Sequence, residues 1–86
     1  MKEVEKILKA LANRRRLTIV KYLNKAGSAS VGEIADEIKL SFKATSKHLG
    51  IMRSADILDR NQVNLTMIYS LNEPLKPILK TILSIL

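Results

Sequence analysis

Residues 30–55 constrain the chain most. Ser30-Val31-Gly32-Glu33 puts Ser at a helix N-cap with Glu three residues on, so each side chain can take up the other's free backbone N–H. Val31, Ile34, Ala35 and Ile38 follow at helical spacing, which predicts a short helix over about 31–38. Lys39-Leu40-Ser41 leaves three residues for a turn. Ser41 is again a good N-cap, and a second helix is predicted over 41–55.

At about 100° per residue that second helix has two faces. Ala44, Thr45, His48, Leu49, Ile51, Met52 and Ala55 fall on one side and can pack into a core. Phe42, Lys43, Ser46, Lys47, Gly50, Arg53 and Ser54 fall on the other, which is basic, hydroxyl-bearing and free of carboxylates. Two short helices, a tight turn and a basic outer face on the second describe a helix-turn-helix, in which the first helix braces and the second enters the major groove of DNA. The outer face carries two choices that weaken a helix. Lys43 and Lys47 are like charges four residues apart, which costs about 0.2–0.5 kcal/mol. Gly50 costs a helix interior about 1 kcal/mol relative to Ala. Both choices fit a polyanion lying against this face, with Gly50 leaving room for close approach. A solvated face with one poor helix former is the other reading of the same residues.

The rest of the composition points the same way. A chain of 86 residues is predicted to form one small domain, residues 1–86. A domain this small buries only about 60–65% of its unfolded surface, so association would add stability. Fifteen Lys and Arg against eight Asp and Glu leave a formal charge of +7, which favours an anionic partner. There is no cysteine, which excludes disulfides, thiolate metal sites and thiol redox switches. No apolar run approaches 18 residues, so no membrane span is predicted. The N-terminus, which alternates charged and apolar residues, does not read as a signal peptide. A cytoplasmic protein is expected, nucleoid-associated when on DNA.

Upstream, Val4, Ile7, Leu8 and Leu11 mark a first helix over 2–12. Asn13 can cap a second, about Arg14 to Lys25, with Leu17, Val20, Tyr22 and Leu23 as apolar contacts and Ala26-Gly27 as its end. Arg14-Arg15-Arg16 reads as a solvated face. Downstream, the period changes to two. Residues 57–60 and 65–71 are rich in strand formers, and Leu65, Met67, Tyr69 and Leu71 alternate with Thr66, Ile68 and Ser70. Asn61-Gln62-Val63-Asn64 is the expected turn of this β-hairpin, the wing. Pro74 or Pro77 can open the last helix. That helix carries Leu75, Ile78, Leu79, Ile82, Leu83, Ile85 and Leu86 against only Lys76, Lys80, Thr81 and Ser84. So wide an apolar surface predicts an interface. The expected dimer surface is Val4, Ile7, Leu8, Leu11, Leu75, Ile78, Leu79, Ile82, Leu83 and Leu86. The whole is mostly α with a small β-hairpin: a winged helix-turn-helix of four helices, a hairpin and a fifth helix.

In this context the chain resembles the ArsR-type winged-helix repressors. The matching stretches are Leu8-Lys9-Ala10-Leu11-Ala12-Asn13, Arg16-Leu17, Ile34-Ala35, Leu40-Ser41, Ser46-Lys47-His48-Leu49, Met52-Arg53 and Tyr69-Ser70-Leu71-Asn72. The resemblance implies a homodimeric repressor whose first and last helices build the dimer and whose fourth helix reads the operator. Many relatives sense metals through two cysteines at the start of the third helix, where this chain has Ser30 and Gly32. Others use histidines and carboxylates of the last helix, which here has no histidine. The resemblance therefore carries DNA binding but not metal sensing, and no cofactor or metal is expected. His48, the only histidine, falls on the inward side and reads as a structural, hydrogen-bonded residue.

The candidate DNA contacts are then Lys43 and Lys47 to bases or phosphates, Ser46 to a base or phosphate, and Phe42 to a thymine methyl or to the hairpin. Ser41 can hold a phosphate at the helix N-terminus, Arg53 adds a cation, and Arg60, Gln62 and Asn64 come from the wing. A winged helix serving as a protein-interaction or RNA-binding module is the alternative. The lack of exposed aromatic stacking residues favours duplex DNA over single strands. An enzyme has no support: there is no cysteine, no second histidine, no phosphate-binding glycine loop and no paired inward carboxylates.

Overall fold

In the computed structural model, which describes residues 1–86, five helices surround a small antiparallel sheet. In chain order they are α1 (Lys2–Leu11), α2 (Arg14–Ala26), β1 (Ser28–Ser30), α3 (Val31–Ile38), α4 (Phe42–Ser54), β2 (Leu58–Val63), β3 (Thr66–Leu71) and α5 (Pro77–Ile85). The fold is a winged helix-turn-helix, mostly helical, with β2 and β3 as the wing.

Local chemistry accounts for most boundaries. Asn13 Oδ1 accepts from Arg16 N and starts α2. Gly27, at φ 87°, ends it in a conformation that L side chains rarely adopt. Ser30 and Glu33 form the reciprocal cap of α3, with Ser30 N donating to Glu33 Oε1 at 2.9 Å and Glu33 N to Ser30 Oγ at 3.2 Å. The turn into α4 starts at Lys39, which closes α3 in the left-handed region at φ 55°. Ser41 Oγ then accepts from Ala44 N at 3.1 Å and opens α4.

One cluster of 18 buried apolar residues holds the elements together. Ile7 and Leu11 come from α1, Ile19, Val20 and Leu23 from α2, Ile34 and Ile38 from α3, Leu49 and Met52 from α4, and Leu79 from α5. Ile57, Leu58, Tyr69 and Leu71 close it from the sheet end. Burying one such side chain stabilises by roughly 1.5–3 kcal/mol, so ten or more outweigh any surface contact in this chain.

Several expectations need correction. The hairpin is part of a three-stranded sheet of order β1-β3-β2, because Ser28–Ser30 pairs with Ser70–Ile68. A three-residue Ser-Ala-Ser strand carries no readable period; only Ala29, buried opposite Tyr69, anchors it. The turn is Asn64-Leu65 rather than 61–64, and β2 runs on to Val63. Asn64 takes the left-handed conformation at φ 58°, which a two-residue hairpin turn needs and Asn tolerates. Of the two prolines, Pro77 opens α5. Arg14-Arg15-Arg16 is not simply a solvated face. Arg15 Nη1 donates to Ile38 O at 3.2 Å, and Arg16 Nη1 donates to Ala10 O at 3.1 Å.

The expected dimer residues divide. Ile7, Leu11 and Leu79 are almost wholly buried inside the protomer and offer no surface to a second chain. They support the helices that carry the exposed face. Val4, Leu8 and Leu86 remain exposed, and Leu75, Ile78, Ile82 and Leu83 are half-buried. Ile85, 77% exposed, extends the same apolar end.

Candidate nucleic-acid interface

The outer face of α4 is as open as its sequence suggests. Phe42, Lys43, Lys47, Gly50 and Arg53 are exposed, and Ser46 is half-buried. Neither Lys43 nor Lys47 forms an ion pair in the protomer; the three present are Lys6–Asp56, Lys9–Glu5 and Lys76–Glu3. Two uncompensated lysines thus stand one turn apart. A Cβ on Gly50 would meet nothing within 4 Å, so no internal packing requires a glycine there.

The inner face positions that surface. Thr45, Leu49 and Met52 are fully buried, which fixes the roll of α4 about its axis. His48 sets its distance from the N-terminal helices. Arg16 Nε donates to His48 Nδ1 at 3.1 Å, while the same guanidinium holds the Ala10 carbonyl. One arginine therefore braces α4 against the end of α1. Burial lowers the His48 pKa, and the Arg16, Arg15 and Lys47 charges lower it further, so the imidazole is neutral and its Nδ1 is free to accept. The Thr45 hydroxyl is buried without a partner.

Between α4 and the wing runs an open trough of about 520 Å³. Phe42, Ser46 and Gly50, four residues apart on α4, line one side of it. Arg60, Met67 and Tyr69 line the other, and Gly32, at the start of α3, and Leu65 also border it. Arg60 lies opposite Tyr69 in the sheet register. The structure thus brings Phe42, Ser46 and Arg60 to one place, with Lys43 and Lys47 on the adjoining outer flank. Ser41 keeps its hydroxyl proton free while its oxygen caps the helix. Gln62 Nε2 donates to Asn64 O at 3.0 Å, so that side chain braces the turn at the wing tip. Arg53 stands apart. It borders a separate depression with Asp56 and Asp59 and does not line the trough.

Two features of this surface were not legible in sequence. Leu65 fits the inward alternation of β3, yet it lies in the turn and is 95% exposed. The Arg16–His48 contact spans 32 residues, and no local pattern announces it.

The arrangement is one that other proteins share. The sequence profile of the bacterial regulatory proteins, arsR family, matches residues 13–60, from the cap of α2 to the start of the wing. The HTH-type transcriptional regulator YgaV of Escherichia coli K12 is 34% identical over 77 residues, 88% of this chain and 78% of that protein. The transcriptional repressor PagR of Bacillus anthracis is 38% identical over 68 residues, 79% of this chain and 68% of PagR. The crystal structure of PagR superposes with a TM-score of 0.85, covering 99% of this chain and 94% of that one at 32% identity. HlyU from Vibrio cholerae N16961 superposes with a TM-score of 0.84, covering 98% of this chain and 87% of that one at 30% identity. From the capped helix-turn-helix through the wing, the sequence and the fold agree, and the chain belongs to the arsR family of bacterial transcriptional regulators.

Proposed function

We propose that residues 1–86 act as one winged helix-turn-helix DNA-binding unit: a homodimeric, sequence-specific double-stranded DNA-binding repressor of transcription, working in the cytoplasm on the nucleoid. It reads a palindromic operator through α4 and lacks the cysteine metal site of many relatives. The observation that carries this reading is the outer face of α4: two unpaired lysines, a hydroxyl and a glycine, with no carboxylate. The repressor direction follows PagR, which is named a repressor, whereas HlyU of Vibrio cholerae is named an activator.

The roles divide by position. Lys43, Ser46 and Lys47 meet bases or phosphates in the major groove, with Phe42 against a thymine methyl. Ser41 donates to a phosphate at the helix start. Arg60 meets the strand beside the groove, and Asn64 and Gln62 approach from the wing. Arg53, exposed on the same helix but outside the trough, adds a cation toward the backbone. The exposed Val4, Leu8, Ile85 and Leu86 build the dimer, with half-buried Leu75, Ile78, Ile82 and Leu83 around them.

Two copies of α4 should protect a palindrome with half-sites about one helical turn, roughly 10 base pairs, apart. If about six of the dimer's cations neutralise phosphates, log affinity should fall against log salt with a slope near −5. Lys43→Ala with Lys47→Ala should stay folded, lose operator affinity and flatten that slope. Ser46→Ala should weaken binding and leave the slope unchanged. Unchanged affinity in the folded double variant would remove α4 as the reading head and leave the protein-interaction reading in its place.

A further inference from the structure

A second depression, of about 260 Å³, lies between α1 and the C-terminal half of α4 and shares no residue with the trough. Its floor is apolar: Ala10 and Ala55 are buried and Ile51 is half-buried. Around it stand Lys6, Lys9, Arg16 and the hydroxyl of Ser54, and no carboxylate borders it. Lys6 and Ala10 lie on the opposite side of α1 from Val4 and Leu8, so a dimer built on those two residues leaves the depression open. The two lysines are exposed and hold only long ion pairs, Lys6 with Asp56 at 3.5 Å and Lys9 with Glu5 at 3.8 Å. Such surface pairs are weak, so both ammonium groups can turn to another anion.

Arg16 differs from them, being half-buried and fixed in place. Its Nε donates to His48 Nδ1 and its Nη1 to Ala10 O, both at 3.1 Å. Neither bond uses Nη2, so the Nη1–Nη2 edge of the fork keeps free N–H groups. That edge has the geometry for two parallel bonds to a carboxylate. Three cations over an apolar floor fit an anion with an apolar body better than a bare ion. A phosphate strand of DNA has no apolar body to cover Ala10, Ile51 and Ala55. The volume falls just short of the roughly 300–1,000 Å³ of drug-sized ligand pockets, which keeps the ligand small.

We propose that this depression binds a small monocarboxylate with an aromatic or short aliphatic body, and that the ligand regulates α4 through Arg16. The carboxylate bonds the Nη1–Nη2 edge, Lys6 and Lys9 close over it from α1, and the body rests on Ala10, Ile51 and Ala55. A carboxylate attracts the guanidinium more strongly than the neutral His48 imidazole or the Ala10 carbonyl does, because both partners are charged. The ligand therefore draws Arg16 toward the depression and slackens its hold on α4. Operator affinity falls, and by linkage the operator weakens ligand binding by the same factor. The site itself assumes nothing about DNA, whereas the regulation rests on the DNA-binding reading above.

The test uses the full chain at constant ionic strength, an operator recovered by selection from random duplexes, and benzoate and hexanoate as probes. Inorganic phosphate controls for charge alone and benzyl alcohol for an apolar body alone. His48 is the only histidine, so its imidazole signals in NMR report on Arg16 without overlap. Benzoate should shift them and saturate with a dissociation constant of about a millimolar or below, in keeping with about nine non-hydrogen atoms. Lys6→Gln with Lys9→Gln changes two exposed side chains, and should keep the wild-type melting temperature and weaken that binding about tenfold. Saturating benzoate should lower operator affinity about fivefold or more in the wild type and far less in the variant. Equal shifts with phosphate reduce the site to an adventitious anion only, and equal shifts with benzyl alcohol to an uncharged crevice. Either result overturns the proposal, as does no shift with either carboxylate. A shift at His48 with operator affinity indifferent to benzoate overturns the regulation. A flatter salt slope in the Lys6→Gln, Lys9→Gln protein with benzoate binding unchanged assigns both lysines to DNA and overturns the site. The Lys43→Ala, Lys47→Ala protein separates the two readings, since it should lose operator binding yet keep the benzoate shift. If it binds operator like wild type, the regulation fails with the α4 reading, and a persisting shift leaves the carboxylate site standing.

Discussion

The two ends of the molecule depart from an ordinary surface in opposite ways. At the α4 and wing end the fold leaves Lys43 and Lys47 side by side with no acid opposite. At the α1 and α5 end it leaves Val4, Leu8, Ile85 and Leu86 bare, against an apolar α5 that contributes a single side chain, Leu79, to the buried core. Neither arrangement improves the isolated protomer. Unpaired like charges are relieved by an anion, and bare aliphatics by another apolar surface. On the function proposed above, each end has its own complement: a polyanion for one, a second copy for the other. The Arg16 contact with His48 and Ala10 joins them, so the set of α4 depends on helices that also carry the apolar end.

Leu79 is where the apolar end is most vulnerable. Leu79→Glu places an unpartnered charge in the core and should cost about 4 kcal/mol or more, unfolding the chain rather than merely separating copies. Circular dichroism showing a cooperative, native-like melt would contradict the burial of Leu79 in the core. Leu8→Glu with Ile85→Glu is the contrasting pair. Both side chains are exposed, so the fold should survive while the dimer dissociates, and operator affinity should drop because half-sites are then bound singly. Sedimentation equilibrium at micromolar concentration decides it: a persisting dimer would move the interface elsewhere.

Smaller effects sharpen the link between the ends. His48 has its pKa lowered from 6.5, so the unfolded chain binds the proton more readily than the folded one. Stability is therefore full above about pH 6.5 and is lost as pH falls through the lowered folded-state value. His48→Gln keeps an acceptor for Arg16 but cannot titrate, and should flatten that part of the pH profile. An identical profile in the variant would place the acid sensitivity elsewhere, with Glu3 the next group to examine. Its carboxyl is held below 4.5 by the hydrogen bond and charge of Lys76, and acts only at lower pH. The smallest effect is at Gly50. A Cβ there meets open space, so Gly50→Ala should stabilise by about 0.5–1 kcal/mol. If operator affinity falls as the melting temperature rises, the glycine serves close approach of DNA; equal affinity would support a merely solvated position.

Local sequence determined the helices, their caps and their inward faces. Ser30, Ser41, Asn13 and Gly27 act within a few residues of themselves, and a helical period needs only its own turn to be visible. The outer face of α4 was legible for the same reason, since Lys43, Ser46 and Lys47 share one side of one helix. Tertiary structure alone decided what depends on residues far apart. β1 exists because β3 lends Ser28–Ser30 its hydrogen bonds. Ile7, Leu11 and Leu79 turned from interface into core because α1 and α5 are amphipathic over a wide arc, and only packing against α2 and the sheet chooses which part of the arc is buried. Arg15 and Arg16 became struts because carbonyls and an imidazole from other helices came within reach. Leu65 became an exposed tip because the turn takes Asn64-Leu65 and β3 begins only at Thr66, while Tyr69 and Leu71 keep the inward alternation further along the strand.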